Sequence, residues 1–391
     1  MKIITTTDEL ATTCARLRKD DYITVDTEFL RETTYWPLLC LVQVAGTQDE
    51  VIIDPLADGL SLEPFWELMG ATDVVKVFHA ARQDVEIMQH MGNVIPAPMF
   101  DTQVAAMVCG FGDSVGYENI VRQLTGNSID KSSRFTDWSR RPLSEKQLAY
   151  ALSDVTHLRS VYKSLRKKLN KSKREGWLEE EMKILTSPGT YRTAPEDAWK
   201  RSKFRARNRK TLGIFMSVCA WREREAQERN VPRSRVLKDD GLGELAMQAP
   251  ETPEALGRLR AIPKGYAQSR QGREILRAIE EGVARDQDSI PFVKPANNQI
   301  PAPASVVDLL KVTLKTICER EGVAPKLVAN VADLEAIALN DQADVNALKG
   351  WRRKLFGELA LDIKHGKLAL SLEDGEVVME PRGSSAARAA E

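Results

Sequence analysis

Four carboxylates and one phenol lie in short segments where an ordinary fold would place apolar residues. They are Asp26, Glu28, Asp84, Tyr150 and Asp154. Carboxylate oxygens are the ligands that Mg²⁺ and Mn²⁺ prefer, and two such ions can promote hydrolysis of a phosphodiester. Acids that cluster without cations repel one another and raise one another's pKa, which is the physical argument for bound metal. These residue types therefore indicate a metal-dependent hydrolytic site.

The first two acids are two residues apart at the end of a predicted strand, 22–26. Side chains at this spacing point to the same face, so Asp26 and Glu28 would project together. Alternatively, Asp26 only starts the turn after the strand. Asp84 opens a helix and shares that helix's inward apolar face. Its alternative interpretation is a first-turn acid that complements the helix dipole.

Tyr150 and Asp154 are four residues apart in a long helical pattern, beside its apolar stripe. A phenol at this position can orient a water molecule while the acid binds a metal. The alternative is an ordinary surface pair at helical spacing. The combination is more specific than its parts, because all four acids fall in one domain in the order strand, helix, late helix.

The elements that must bring these residues together alternate between strands and helices in the first half of the chain. Predicted strands cover 2–5, 22–26, 38–45, 51–54 and 74–78. Predicted helices cover 6–18, 62–69, a segment from Arg82, and most of 102–168 with breaks near 110–116 and 126–134. The early strands are close enough for antiparallel pairing, and strand-helix units follow. We expect an α/β domain whose mixed sheet is flanked by helices.

Two irregular segments that contain proline divide the rest of the chain. The predicted domains are a catalytic domain 1–186, a linker 187–206, a helical bundle 207–287, a Pro-rich linker 288–304, a second all-α bundle 305–382 and a disordered tail 383–391. The segment 228–232 resembles 319–325, which indicates that the two bundles are diverged copies.

Composition restricts the class of protein further. Lys and Arg number 56 and so do Asp and Glu, so the net charge of zero argues against a uniformly basic nucleic-acid coat. Five scattered cysteines without a C-x-x-C pair argue against a disulfide framework and favour the cytoplasm. The longest apolar run, 38–45, is too short to span a membrane. No long heptad repeat predicts a partner, so we expect a monomer.

The three acidic segments resemble the Exo I, Exo II and Exo III motifs of the DEDD 3′→5′ exonucleases, in the subtype with a tyrosine in the third motif. The string DTEFLRETTYWP at 26–37 is similar to the ribonuclease D family in particular. Further similar strings lie at 100–106, 114–117, 130–132 and 137–142. The resemblance is dense over 1–170, and the helical blocks resemble two HRDC domains.

This resemblance implies an RNase H-like fold, hydrolysis from the 3′ end of RNA, 5′-monophosphate products and transfer RNA precursors as substrates. By the same resemblance, Asp26 would bridge two metals, and Glu28 and Asp154 would complete the metal that holds the attacking water. Asp84 would support the second metal, and Tyr150 would align the water. Two alternatives are a DNA 3′→5′ exonuclease of the same superfamily and a catalytically silent RNA-binding scaffold.

The predicted substrate contacts are Phe29, His79, Gln103, Lys131, Ser132 and Arg134. The last three belong to a loop before the catalytic helix. Phe29, Tyr35 or Trp36 would stack on the terminal base, unless they pack in the core. The basic segments 159–174 and 200–210 are either phosphate-binding surfaces or solvated helix faces. We predict that Trp221 and Trp351 are core anchors.

Overall fold

The computed structural model describes residues 2–130, 132–191, 194–291 and 301–382. The predicted tail 383–391 and part of the predicted linker 288–304 lie outside these ranges. Within the described ranges, no helix combines the length and the apolar character needed to cross a bilayer.

Six strands in the described N-terminal half form one mixed sheet, in the order β1-β4-β3-β2-β5-β6. The strands are β1 (Lys2–Ile4), β2 (Tyr22–Leu30), β3 (Leu38–Ala45), β4 (Glu50–Ile53), β5 (Val75–Phe78) and β6 (Met99–Asp101). The central strand β2 runs antiparallel to β3 and parallel to β5. The predicted α/β class with a mixed sheet is therefore confirmed.

Seven α-helices accompany this sheet in the described residues up to 191. They are α1 (Thr7–Leu17), α2 (Glu63–Gly70), α3 (Arg82–Met91), α4 (Thr102–Val108), α5 (Tyr117–Thr125), α6 (Glu145–Ser172) and α7 (Glu175–Leu185). Helix α6 crosses β2, β3 and β4. Because side chains alternate along a strand, Leu41 of β3 packs with Leu148 and Ala151 of α6. Val42 and Val44, on the opposite face of β3, belong to the main core cluster instead.

Strand β2 is longer than the sequence predicts. Its pairing with β3 continues to Leu30, with a register shift between Glu28 and Phe29. Asp26 and Glu28 therefore lie inside the strand and not at its end. The backbone ladder does not depend on side-chain polarity, so acids can continue a strand when their face borders a cavity. The three-residue strand β6 was not predicted, because such a short segment carries no periodic pattern.

The C-terminal half is mainly helical, as predicted. Its α-helices are α8 (Arg209–Glu228), α9 (Arg233–Val236), α10 (Asp239–Gln248), α11 (Pro253–Gly257), α12 (Arg270–Ala284), α13 (Ala304–Glu321), α14 (Pro325–Val328), α15 (Val331–Leu339), α16 (Gly350–Arg352) and α17 (Glu358–Lys364). A π-helical turn, Arg353–Gly357, joins the last two. Trp221 and Trp351 are 6% and 7% exposed, which confirms that both are core residues.

The end of the second helical block departs from the all-α prediction for 305–382. Two antiparallel strands, β7 (Leu368–Glu373) and β8 (Glu376–Pro381), form a hairpin there. Asp374 and Gly375 form its turn with positive φ values of 50° and 83°. A two-residue Asp-Gly loop between alternating apolar residues is a strong hairpin signal, so the sequence did contain the information.

Both helical blocks pack against the sheet domain. Tyr35, from the connection after β2, belongs to the core of α8–α12. The block from α13 onwards shares one core cluster with the sheet domain, in which the Trp177 and Trp351 rings stack at 4.2 Å. Gly110 allows a close approach, since a Cβ there would lie 2.6 Å from the Gly322 carbonyl oxygen. The exact domain limits stay predictions.

Candidate metal and nucleotide site

Three of the predicted acids converge between β2 and α6. Oxygen atoms of Asp26, Glu28 and Asp154 all lie within 4.8 Å of one another. The two strand residues share a face because they are two apart. Thr24, on the same face of β2, donates a hydrogen bond of 2.8 Å to the Val155 carbonyl oxygen of α6. This contact fixes the helix against the strand beside the acids.

Side chains that precede Tyr150 in the sequence hold the N-terminal end of α6 in place. Ser144 and Gln147 form a capping box at the start of the helix. Arg141 makes two hydrogen bonds to the Asp54 carboxylate, at 2.6 and 2.7 Å, and a third to the Cys40 carbonyl oxygen. The preceding loop thereby places the buried Trp138 ring 6.1 Å from the ring of Tyr150. The phenol is thus oriented before any ligand binds.

Asp84 approaches from α3 and is not part of the three-acid group. Its side chain is buried and accepts a hydrogen bond from the Thr27 hydroxyl, on the strand residue between Asp26 and Glu28. Its negative charge still contributes to the raised pKa of both strand acids. The structure therefore brings the fourth acid within electrostatic range of Asp26 and Glu28, through Thr27, a residue that the sequence did not single out.

The turn before α3 is shaped by Asp101, a buried acid that sequence analysis did not assign. Its carboxylate accepts hydrogen bonds from the backbone N–H groups of Ala80 and Ala81, and it caps α4. Ala80 is held at φ 62°, a left-handed conformation that is costly for a residue with a Cβ. This network fixes the chain between β5 and Asp84.

Burial and mutual repulsion keep protons on the acidic cluster. Burial, followed by the charges of Asp154 and Asp84, raises the pKa of Glu28 to about 8. Burial raises the pKa of Asp154 and of Asp84 to about 7 each. The pKa of Asp26 lies well above its usual value, first through burial and then through its three acidic neighbours. The four groups cannot all ionise at neutral pH unless cations compensate them.

A cavity of about 430 Å³ opens beside these acids. Of the predicted substrate contacts, His79, Gln103 and Arg134 line it, together with Tyr150. Arg134 also supplies positive charge that lowers the pKa of Glu28 and Asp154 against the effect of burial. The donor set is therefore all-oxygen, acidic and partly enclosed, which fits hard divalent cations such as Mg²⁺ or Mn²⁺.

Comparisons with known proteins agree with this geometry. A family model described as 3'-5' exonuclease matches residues 1–170, and an HRDC domain model matches residues 211–279. A ribonuclease D from Nitrobacter hamburgensis is 55% identical over 98% of this chain and its own full length. The chain belongs to the ribonuclease D family. A ribonuclease D from Gluconacetobacter diazotrophicus is 48% identical, covering 97% of this chain and 96% of its own.

The same family is evident in three dimensions. The crystal structure of Escherichia coli RNase D matches with a TM-score of 0.80 at 26% identity, over 93% of this chain and 98% of that one. That protein is described as an exoribonuclease involved in structured RNA processing. The predicted family and the combination of a mixed-sheet domain with helical HRDC character are confirmed.

Not every residue predicted to contact ribonuclease D substrates lies at the cavity. Among the described lining residues, neither Phe29 nor Ser132 occurs, and Lys131 lies outside the described residues. Phe29 is half-buried against the main core cluster. His79 Nδ1 lies 2.9 Å from the Thr102 hydroxyl, which also lies 2.9 Å from the Phe78 carbonyl oxygen. This contact holds the His79 ring at the cavity wall, and its contact with substrate stays a prediction.

One further aromatic residue at the cavity, Phe135, was not predicted from the sequence. Phe135 lines the cavity, and 90% of its surface is exposed to solvent. By contrast, Tyr35 is buried in the first helical block, and Trp36 stacks on His90 at 3.9 Å. The Arg134 guanidinium lies 5.1 Å from the centre of the Phe135 ring. The only sequence signal for Phe135 was an aromatic residue beside a cation in the loop before α6.

The basic segment 159–174 is partly committed to contacts within the protein. Arg159 lies over the Tyr22 ring and Arg166 over the Tyr162 ring. Arg174 binds Glu321 and the Gly322 carbonyl oxygen of the second helical block. For these three arginines, structural contacts explain the charge without any nucleic acid.

Proposed function

We propose that this member of the ribonuclease D family is a 3′→5′ exoribonuclease that releases nucleoside 5′-monophosphates one at a time. The observation that supports it most is the group of three carboxylates, with oxygens within 4.8 Å, at the wall of an open cavity. A cavity of this kind accepts one chain end, and the acids supply the ligands that hydrolysis of a phosphodiester requires. The natural substrates that we propose are transfer RNA precursors and other structured RNAs.

The acids Asp26, Glu28, Asp84 and Asp154 would hold two divalent cations, either Mg²⁺ or Mn²⁺. When bound, such ions offset the negative charge of the attacking and leaving oxygens. The chain itself provides the geometry: β2 holds two acids on one face, α6 holds Asp154 opposite, and the Thr27 hydroxyl fixes Asp84.

Tyr150 would align the attacking water. Burial, followed by the negative charges of Asp154 and the strand acids, raises the pKa of its hydroxyl, so the group keeps its proton and acts as a hydrogen-bond donor. The Trp138 ring and the capped start of α6 restrict its motion. Arg134 would offset the charge of the substrate phosphate at the cavity wall.

Phe135 would stack on a base near the 3′ end of the RNA. Stacking on an aromatic ring tolerates every base, which suits an enzyme that removes nucleotides regardless of sequence. Phe135 supports this assignment better than Phe29, Tyr35 or Trp36, because its ring is exposed at the cavity. We also propose a cytoplasmic monomer; the free state of all five cysteines supports a reducing compartment.

The test is a time course on RNA labelled at either end, with and without a chelator, beside a DNA of matched sequence. Label at the 3′ end should appear at once in mononucleotide, and label at the 5′ end should pass through progressively shorter chains. Chelator should abolish both reactions. Internal fragments, or a preference for the DNA, would contradict the proposal.

Asp26→Asn should abolish hydrolysis while fold and RNA binding persist, since it removes a metal ligand at nearly constant volume. A suitable control is Asp8→Asn, which makes the same change at an exposed site on α1. Circular dichroism would check the fold, and filter binding would check RNA affinity. Turnover at the wild-type rate in Asp26→Asn would exclude the assigned metal site.

A further inference from the structure

Gln43, on β3, is fully buried. Neither the nitrogen nor the oxygen of its side-chain amide has a hydrogen-bond partner among the described residues. Removing an amide from water without a partner costs free energy. Such groups are rare in folded proteins and call for a physical explanation. Gln43 is therefore an unused donor and acceptor in the middle of the sheet.

The position of Gln43 places it beside the acidic cluster. It pairs with Asp26 of β2 on one side and with Ile52 of β4 on the other. Along its own strand, Leu41 and Ala45 share its face. Directly opposed side chains of antiparallel strands have Cβ atoms about 4.5–5.5 Å apart, which is within reach of a glutamine amide. Of these four neighbours, only Asp26 has a polar side chain.

We propose that Gln43 is a positioning residue for Asp26: its amide N–H holds the Asp26 carboxylate, directly or through one water, when the acids bind divalent cations. The proposal rests on the proposed function of the site. Asp26 has no cationic partner in the described structure and is surrounded by other acids, so its orientation needs a neutral donor. A charged donor would compete with the cations for the carboxylate, whereas an amide would not.

The contact would act on metal affinity and on the geometry of the reaction. Groups that orient a metal ligand without touching the metal typically contribute about 10–100-fold to metal affinity or activity. Gln43 would orient Asp26 from the interior of the sheet, on the side away from the cavity. Solvent cannot reach that side to replace a lost hydrogen bond. RNA contacts lie on the cavity side and should not depend on it.

The test is Gln43→Met, which keeps the length of the side chain and removes both polar atoms. Without metal, the variant should melt at a higher temperature than wild type, because an unpaired amide has left the core. Its affinity for Mn²⁺, measured by calorimetry, should fall about 10–100-fold. At saturating Mn²⁺, kcat should fall while KM for RNA stays within twofold. Gln248→Met, at an exposed position of α10, is the matched control.

Two results would overturn the proposal. If Mn²⁺ affinity and kcat stay within twofold of wild type, Gln43 is only an unpaired core residue. If the metal-free variant melts at a lower temperature or fails to fold, the amide has a structural partner and the premise is wrong. Gln43→Asn, which keeps the amide on a shorter side chain, should recover part of the Mn²⁺ affinity.

These readouts separate the inference from the proposed function. Melting temperature and Mn²⁺ affinity do not require any RNA to be cleaved. If the wild-type protein proved inactive on RNA, the proposed function would fail, yet the change in Mn²⁺ affinity in Gln43→Met would still report the contact with Asp26.

Discussion

Tyr150 lies one helical turn before Asp154 and can reach a water beside it without binding metal itself. Tyr150→Phe removes only the hydroxyl, so we expect kcat to fall roughly 100-fold, the usual effect of misplacing a reacting group by about 1 Å. KM for RNA should hardly change. Single-turnover kinetics on a labelled RNA would measure both.

Tyr162→Phe makes the same change on the same helix. Tyr162 is buried, and its hydroxyl binds Arg166 away from the cavity, so this variant should keep its kcat. An effect of Tyr150→Phe that is confined to KM would contradict the assigned role of its hydroxyl.

Phe135 offers the opposite kinetic signature. Stacking of a base on an aromatic ring contributes about 1–3 kcal/mol, so Phe135→Ala should raise KM roughly tenfold and leave kcat little changed. Phe135→Trp should restore binding. Fluorescence of 2-aminopurine at the RNA 3′ end, measured in the Asp26→Asn background, would report the stack directly. Leu372→Ala, on a 74% exposed residue of the hairpin, is the control.

Which residues face the cavity was only partly predictable. Acids at strand and helix spacing are visible in the sequence, because their types conflict with apolar surroundings. Exposure of an aromatic ring is not visible: Phe29, Tyr35 and Phe135 have similar chemistry, yet only the fold decides which of them is covered. Gln43 was missed for a related reason, since an amide within an apolar strand becomes notable only when its neighbours are known.

At the level of elements, β2, α3 and α6 force four carboxylates together, and this has a measurable cost. In the unfolded chain carboxyl pKa values are about 4, but in the folded protein Glu28 has a pKa of about 8 and Asp154 of about 7. The folded state thus retains protons that the unfolded chain has lost. The free energy of unfolding of the metal-free protein therefore falls as pH rises from about 4 to 8 and then levels off.

Divalent cations should reverse this loss by replacing the protons. The increase in melting temperature on adding Mn²⁺ should be larger at pH 8.5 than at pH 6, at about 1–2 °C for each kcal/mol gained in a chain of this length. Thermal unfolding at both pH values, with and without Mn²⁺, would measure it. The increase should shrink in Asp26→Asn. An equal shift at both pH values would show that the acids do not exchange protons for metal.

The long elements were predictable because periodicity accumulates over many residues. The strand at 38–45 and the helix that carries Tyr150 and Asp154 both occur as expected. Two elements were not predicted. The strand β6 has only three residues, and the hairpin β7–β8 follows a helical block whose periodic pattern favours a helix throughout. The extension of β2 beyond Asp26 depends on its pairing with β3, which a single strand cannot reveal.

For the whole molecule, the shared core predicts that the second helical block and the sheet domain unfold together. Trp351 is 7% exposed and stacks on Trp177 of α7. Trp351→Ala should cost about 3–5 kcal/mol, typical of a buried tryptophan. The loss should appear as a single unfolding transition at a lower temperature. Hydrogen exchange should show that the backbone amides of β2 and α6 lose their protection in the same transition. Selective melting of residues after 301 would contradict a shared core.

Each helical block also contacts a loop that lies next in sequence to residues lining the cavity. The backbone N–H groups of Tyr35 and Trp36, seven and eight residues after Glu28, donate hydrogen bonds to the side-chain oxygen of Asn230. Lys326 donates to the Ser114 hydroxyl, just before the cavity residue Gly116. A chimaera that joins the catalytic half of one relative to the helical half of another would therefore inherit mismatched anchors. Loops 31–37 and 110–116 should be exchanged together with the helices that they bind.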